Sequence, residues 1–238
     1  MRALVLSDIH ANLDALDALD RVWRGRYDTF DRVIVLGDLV DYGPCPRETI
    51  AWVQAHATDV VAGNHDDAMA TGGRCGSSAR FLAASIATRE RLRPTLTADE
   101  LAYLAALPRT STITDDERVW QIVHATPRDP LFEYLRPNDA PVEWRAAFER
   151  RLAPYVLVGH THLPFVRLFD NAGLVVNPGS LGMPKDRHPS GSYAIVDGAS
   201  VEFRRVTYDV DRLIGRLARL ELPDAVVEVL IDAFRNGR

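Results

Sequence analysis

The first 66 residues alternate between short apolar runs and segments with helical spacing. The apolar runs are "ALVL" (3–6), "RVIVLGD" (32–38) and "DVVAGNHD" (59–66), and each has the length of a strand. Between the first two runs, apolar residues recur every three to four positions over 13–23, with Asn12 placed to cap the helix. Pro46 is placed to open a second helix over 48–56. Strand, helix and strand in this order predict βαβ units and an α/β fold with a parallel sheet.

The remainder of the chain divides into a helical part and a part dominated by strands. Residues 80–92 and 98–107 have helical spacing, so a helical insert over about 68–107 is expected. After Val119 come apolar runs with turn residues between them, namely 118–125, 155–160, 164–170, 174–180, 191–197 and 201–208. A helix over 142–152 interrupts these strands, and C-terminal helices over about 210–234 are separated at Pro223. We expect one domain over 1–238, with the insert as a small helical cap.

Composition excludes several classes of protein. Hydrophobic residues make up 47% of the 238 residues, which suffices for a sizeable core. The formal net charge of −5 argues against a surface that holds nucleic acid by its positive charge. The two cysteines, Cys45 and Cys75, form no CxxC pair and are expected to be reduced thiols of a cytoplasmic protein. No apolar segment reaches the length of a membrane span, and the apolar run at residues 3–6 is too short for a signal peptide.

Polar side chains follow five of the apolar runs at the same place, directly after the run ends. The residues in these positions are Asp8, His10, Asp38, Asn64, His65, Asp66, His124, His160 and His162. In open α/β sheets, ligands bind at the carboxyl ends of parallel strands. If the five strands share such an edge, the sequence brings these groups to one place.

The chemistry of this set is that of a metal site. Residues i and i+2 of an extended chain point the same way, so Asp8 with His10, and His160 with His162, are each expected to present two ligands to one site. Imidazole, carboxylate and amide oxygen without thiolate suit Mn²⁺, Fe²⁺ or Zn²⁺. Seven candidate ligands, drawn from these nine residues, are too many for one catalytic ion with an open position, but they suit two ions roughly 3.5–4 Å apart that share a carboxylate. Any one of these residues alone is equally typical of a turn or a helix cap, so the combination carries the interpretation.

The motifs carry a resemblance to a known family. "DIH" (8–10), "GDLVDYG" (37–43), "GNHD" (63–66), "VHATP" (123–127) and "GHTH" (159–162) occur in the order found in calcineurin-like metallophosphoesterases. The resemblance spans residues 1 to about 200. "GDLVDYGPCP" and "NPGSLGMPKD" resemble the small bacterial and archaeal branch of YfcE-like phosphodiesterases, which is itself similar to bacterial diadenosine tetraphosphate hydrolases.

The resemblance implies a four-layer αββα sandwich of two mixed β-sheets flanked by helices. It also implies two divalent ions, with Mn²⁺ expected first and Fe²⁺, Zn²⁺ or Mg²⁺ as alternatives. Position by position, Asp38 would bridge the two ions. The first ion would be held by Asp8, His10 and His162, and the second by Asn64, His124 and His160.

The same resemblance assigns two catalytic residues. His65 would contact the phosphate and protonate the leaving-group oxygen, and Asp41 would orient His65. Tyr42 stands where protein phosphatases have an arginine, which argues against a phosphoprotein phosphatase. The cap is expected to set substrate choice. Basic residues that could meet a second phosphate or a base are Arg74, Arg80, Arg128, Lys185 and Arg187.

The implied activity is hydrolysis of a phosphodiester or related phosphate ester through attack of a metal-bridging hydroxide. The substrate would be a small phosphorylated molecule, including the possibility of a nucleotide. The alternatives are a diadenosine tetraphosphate hydrolase, a non-catalytic scaffold such as the retromer subunit of this fold, and a nuclease acting on large nucleic acid. The acidic composition argues against the nuclease and against stable nucleic-acid binding. No membrane association is expected, and the sequence leaves the oligomeric state open.

Overall fold

Strands and helices alternate in the first part of the chain, as the apolar pattern predicts. In the computed structural model, which describes residues 1–115, 117–169, 173–198 and 200–238, the N-terminal elements follow one another in this order. They are β1 (Arg2–Leu6), α1 (Leu13–Trp23), β2 (Arg32–Val35), α2 (Pro46–His56), β3 (Asp59–Val60), α3 (Asn64–Thr71), α4 (Ala79–Leu92) and α5 (Ala98–Ala106). Asn12 caps α1 by accepting a hydrogen bond from the backbone N–H of Ala15.

Strands dominate the second part of the chain. Its elements are β4 (Thr110–Thr114), β5 (Val119–Val123), α6 (Pro141–Phe148), β6 (Tyr155–Leu157), β7 (Pro164–Phe169), β8 (Gly173–Pro178), β9 (Gly191–Asp197), β10 (Ser200–Val206), α7 (Val210–Leu217) and α8 (Asp224–Asn236). Asp170, with which one predicted strand ends, lies outside the described residues. None of the described helices is both long enough and apolar enough to cross a membrane.

The strands form two mixed sheets of five strands each. In the first sheet the order is β10-β9-β1-β2-β3, with β1, β2 and β3 parallel and β9 and β10 antiparallel. In the second sheet the order is β4-β5-β6-β8-β7, with β5, β6 and β8 parallel and the edge strands antiparallel. Two mixed sheets flanked by helices confirm the predicted architecture.

The apolar core lies in three layers. Val5 and Ile34 of the first sheet belong to the same buried cluster as Trp120 and Ile122 of the second, so the two sheets pack face to face. A second cluster joins the other face of the first sheet to α1, α2, α7 and α8. Trp144, with other residues of α6, covers the outer face of the second sheet. The burial of both faces of each sheet produces the αββα sandwich.

Several elements differ from the sequence predictions. The third strand ends at Val60, and Asn64 begins α3, so "GNHD" is a helix N-terminus and the helical insert starts earlier than residue 68. Gly63 caps that helix, and the Asp66 side chain accepts the Gly63 backbone N–H, which favours a helix over an extended chain. The predicted helix over 142–152 ends at Phe148. Strand β4 was not predicted because it is an edge strand with a single buried residue.

Candidate metal centre and active site

The predicted ligands come from both sheets. Asp8 follows β1, Asp38 follows β2, and Asn64 begins the helix that follows β3. From the second sheet, His124 follows β5 and His160 follows β6. The site therefore lies where the carboxyl ends of parallel strands from two packed sheets meet, rather than along the edge of one sheet as the pattern predicted.

The ligand atoms form two buried groups that share one carboxylate. The first group is Asp8, His10, Asp38 and His162, and the second is Asp38, His124 and His160. Within each group the ligand atoms lie within 4.8 Å of one another. Asn64 Oδ1 joins the second group, 3.0 Å from His124 Nε2. This division is the one that the resemblance implies, with Asp38 between the two groups.

The backbone of the ligand loops is left-handed rather than extended. The φ angles are 52° at Asp8, 48° at His10, 64° at His160 and 60° at His162. The extended-chain reason given for the D-x-H and H-x-H spacing is therefore wrong. Asp8 and His10 still reach one group, but His160 and His162 reach different groups. Several non-glycine residues in this region cost conformational energy, and such strain is concentrated at functional sites.

Three of the imidazoles are fixed by buried backbone carbonyls. Nδ1 is paired with Val40 O at 3.0 Å in His10, with Leu36 O at 2.6 Å in His124 and with Met183 O at 2.5 Å in His162. A carbonyl can only accept, so each Nδ1 carries the hydrogen and each neutral ring has its lone pair on Nε2. Hydrogen bonds of this kind orient the histidine ligands of metal sites.

Several buried acceptor atoms at the site lack a hydrogen-bond partner. Asp8 Oδ1, Asp38 Oδ2 and His160 Nε2 have none among the described residues. His10 Nε2 and His162 Nε2 lie 3.3 Å apart, with lone pairs that repel each other when both rings are neutral. Buried acceptors without donors are costly, and cations placed among them remove that cost. The donor set therefore fits two divalent cations.

The pKa values show where negative charge collects. Burial raises the pKa of Asp8 to about 6 and lowers the pKa of His10 to about 3. Burial also acts against ionisation of Asp38, but the nearby imidazoles of His124 and His65 hold its pKa well below the usual value. In turn, the Asp38 carboxylate overcomes burial and raises the pKa of His124 to about 9. The shared carboxylate is thus the point that attracts positive charge most strongly.

Asp66 supports the Asp38 loop, a role that the sequence analysis did not assign. Its carboxylate accepts backbone N–H groups from Gly63 at 2.9 Å, Asp38 at 2.8 Å and Leu39 at 2.8 Å. The signal was available, because an acidic residue three positions after a helix cap is typical of a capping box. The Asp66 carboxylate therefore binds both the N-terminus of α3 and the loop after β2, and so fixes the direction of Asp38.

The "NPGSLG" segment holds two ligand loops together. Asn177 Nδ2 donates to Gly159 O at 2.6 Å, and Ser180 Oγ donates to Asp8 O at 2.7 Å. Close approach is required here, since a Cβ at Gly159 would lie 1.9 Å from Ser7 Oγ. The β1 and β6 loops are therefore positioned by a third segment distant in sequence.

His65 and Asp41 form a buried pair beside the metal ligands. His65 Nδ1 lies 2.7 Å from Asp41 Oδ2, and the His65 ring centroid is 5.0 Å from that of His10. Arg89 of α4 donates to the same Asp41 oxygen. Burial acts against the His65 imidazolium, but Asp38 and Asp41 raise the pKa of His65 well above its ordinary value. Arg89 is not predictable from the sequence, because a basic residue within a helix carries no motif.

A free thiol completes this side of the site. Cys75 is buried, its Sγ lies 2.9 Å from Ser77 Oγ, and it lies beside Asp41 and His65. Burial alone would raise the pKa of the Cys75 thiol, but the neighbouring His65 and the bond to Ser77 lower it to about 5.

A pocket of about 470 Å³ lies beside the ligands. Its wall includes Tyr134, whose ring packs on His160 with centroids 3.9 Å apart, and Lys185, whose Nζ is 3.5 Å from His162 Nε2. Of the basic residues that the sequence analysis selected, Lys185 lines this pocket. Arg80 pairs with Asp232, Arg128 pairs with Glu133, Arg74 lines another pocket and Arg187 is exposed.

Comparisons with known proteins agree with this geometry. The family model described as "Calcineurin-like phosphoesterase superfamily domain" matches residues 1–200. The crystal structure of a metallophosphoesterase from Sphaerobacter thermophilus is 34% identical, with 98% of this chain and 99% of that chain covered and a TM-score of 0.76. An uncharacterized protein of Methanocaldococcus jannaschii, MJ0912, is 27% identical over 95% of this chain and 96% of its own length. The phosphoesterase YfcE from E. coli shares the fold at 18% identity, with coverage of 88% and 100% and a TM-score of 0.50.

The family model covers most of the chain, and the Sphaerobacter protein matches it over nearly its whole length. The chain therefore belongs to the calcineurin-like phosphoesterase superfamily, a family that uses dinuclear metal centres.

Proposed function

We propose that this protein is a metal-dependent phosphoesterase that hydrolyses a phosphodiester or a related phosphate ester of a small molecule. The observation that carries the proposal is the pair of buried ligand groups joined by Asp38. The buried His65–Asp41 pair beside these groups favours turnover over a non-catalytic scaffold of the same fold.

The metal ligands in this proposal are the seven residues of the two groups. Asp8, His10 and His162 would hold the first ion, and Asn64, His124 and His160 would hold the second, with Asp38 as a ligand common to both groups. Mn²⁺ is the first choice, with Fe²⁺, Zn²⁺ and Mg²⁺ as alternatives. Two such ions, when bound, activate water and stabilise charge on the phosphate.

His65 acts as the proton donor in the proposed reaction. Asp41 accepts from Nδ1 and favours the charged ring, which leaves the proton on the other ring nitrogen available for the leaving-group oxygen. Asp41 is the residue that positions His65, and Arg89 holds Asp41 from the cap side. The helical cap therefore contacts Asp41 through Arg89, which supports a role for the cap in substrate choice.

The test combines metal content with turnover. Protein stripped with a chelator is reloaded with Mn²⁺, Fe²⁺, Zn²⁺ or Mg²⁺ and assayed with a bis-aryl phosphate, an aryl monophosphate and diadenosine tetraphosphate. Two ions per chain together with diester cleavage are expected. Full activity of both Asp8→Asn and Asp38→Asn would refute the assignment, and Asp211→Asn, at an exposed surface ion pair, is the matched control.

A second candidate function is hydrolysis of a dinucleoside polyphosphate. The observation that favours it is the adjoining pocket of about 470 Å³, which is lined by Lys185 and Arg136 and has room for more than one phosphate. Faster cleavage of diadenosine tetraphosphate than of the bis-aryl phosphate would select this function.

A further inference from the structure

We propose that Lys185 and Arg136 form a subsite for a second anionic group of the substrate. The ligand would be a phosphate ester that carries a further phosphoryl group beside the reacting one. This inference rests on the proposed function, because the reacting phosphate is taken to lie at the two metal groups.

The position of the two cations suits this role. Both line the same pocket as Thr161, the residue between the ligands His160 and His162. Lys185 Nζ is 3.5 Å from His162 Nε2, so the pocket adjoins the first metal group directly. An anionic group held by Lys185 would therefore lie next to a phosphate bound at the ions.

Neither cation is paired with a carboxylate in the part of the chain that the structure describes. No Asp or Glu oxygen of the described residues lies within 4.0 Å of Lys185 Nζ or of the Arg136 guanidinium, whereas Arg80 pairs with Asp232 and Arg128 pairs with Glu133. Lys185 is only partly accessible, and a cation removed from water without a partner is costly. A bound anion would supply the missing partner.

An aromatic ring lies beside each of the two cations. Lys185 Nζ lies 5.0 Å from the centroid of Phe81, and the Arg136 guanidinium lies 5.8 Å from that of Tyr134. The buried Phe81 comes from α4 of the cap, and Tyr134 packs on His160. These contacts place positive charge in the pocket while leaving the N–H groups free to donate.

The charge balance at the site points to a substrate with more than one anionic group. Two divalent ions would exceed the charge of Asp8 and Asp38, and a phosphodiester contributes only one negative charge. Two further cations are in excess for a simple diester, since like charges in one pocket repel. An additional phosphoryl group, as in a phosphoanhydride, balances them.

The experiment compares two inhibitors of bis-aryl phosphate hydrolysis by the Mn²⁺-loaded protein at fixed free Mn²⁺. AMP offers one phosphoryl group, and β,γ-methylene-ATP offers three. In Lys185→Gln and in Arg136→Gln, the inhibition constant of β,γ-methylene-ATP is expected to rise about tenfold, the loss of one charge-assisted hydrogen bond. The inhibition constant of AMP is expected to rise about threefold or less in the same variants. Lys185→Arg keeps the positive charge, so its inhibition constant for β,γ-methylene-ATP should lie close to that of the unsubstituted protein.

The controls separate the possible outcomes. Arg150→Gln removes the same charge at an exposed position and should leave the ratio of the two constants unchanged. An equal rise for both inhibitors would place Lys185 and Arg136 at the reacting phosphate and overturn the subsite, as would no change for either. If the Mn²⁺-loaded protein hydrolyses no bis-aryl phosphate, the proposed function fails by itself. In that case calorimetry measures the dissociation constants of AMP and β,γ-methylene-ATP. The Lys185 and Arg136 variants should weaken binding of β,γ-methylene-ATP more than binding of AMP, by the same ratio as expected for the inhibition constants.

Discussion

The buried ion pair between Arg89 and Asp41 connects the cap to the catalytic side of the site. Their side chains are 8% and 0% exposed, and Asp41 Oδ2 accepts from both Arg89 and His65. Arg89→Met removes the charge of Arg89 while keeping an unbranched side chain. We expect this variant to lose both stability and activity.

The size of the stability loss follows from the burial of the pair. Removal of one partner of a buried ion pair costs about 3–5 kcal/mol, because the other charge stays buried. His65 remains 2.7 Å from Asp41, so the lower end, about 3 kcal/mol, is expected. For a chain of 238 residues this lowers the melting temperature by about 6–12 °C.

The matched control lies two residues further along the same helix. Arg91 pairs with Glu221 at the surface, where the side chains are 49% and 79% exposed. An exposed pair contributes less than about 1 kcal/mol, so Arg91→Met should lower the melting temperature by less than about 4 °C.

Thermal unfolding of both variants, with chelator and with excess Mn²⁺, measures the effect on the free energy. Hydrolysis of a bis-aryl phosphate measures the effect on the site, where kcat of Arg89→Met should fall about tenfold because Asp41 loses one of its two orienting partners. Equal melting temperatures for the Arg89 and Arg91 variants would refute the reasoning, since it depends entirely on the difference in burial.

Four further outcomes are expected. Chelation should lower the melting temperature, and metal at one hundred times its Kd should restore about 2.7 kcal/mol per ion, as a scan against Mn²⁺ concentration measures. Asp38→Asn cannot bridge two ions, so metal analysis should find fewer than two per chain and turnover should fall by more than about a hundredfold. His65→Gln should slow cleavage of an alkyl ester by about 10²–10⁴-fold, and slow a nitrophenyl ester far less, because nitrophenolate leaves without a proton. Gly159→Ala places a Cβ 1.9 Å from Ser7 Oγ and should cost about 1–3 kcal/mol in urea unfolding. Gly215→Ala, whose Cβ would meet no atom of the described residues within 4 Å apart from its own stretch of helix, should be neutral or stabilising.

The difference between the predicted and observed ligand loops has a physical reason. Alternation along an extended strand was the reason for expecting His160 and His162 to reach one site, but both residues have left-handed backbones and their side chains reach different ligand groups. Such conformations are stabilised by surrounding contacts, here including the Asn177 bonds to the Gly159 carbonyl and the Thr161 hydroxyl. Spacing within one motif does not contain that information.

Residues that act through the cap were the hardest to predict. Arg89 contacts Asp41 from 48 positions away, and nothing in the spacing of α4 distinguishes it from the exposed Arg91. Arg136 likewise belongs to a loop without a motif, and its place in the pocket depends on how Tyr134 packs.

The sequence by itself determined the α/β class, because apolar periodicity is a local property of the chain, and its motifs carried the family resemblance that implies two sheets and seven candidate ligands. The tertiary structure alone decided the left-handed backbone of the ligand loops and where positive charge lines the pocket. These depend on contacts between segments more than a hundred residues apart, such as His10 with His162. Such contacts are created when the two sheets pack, and no local pattern encodes them.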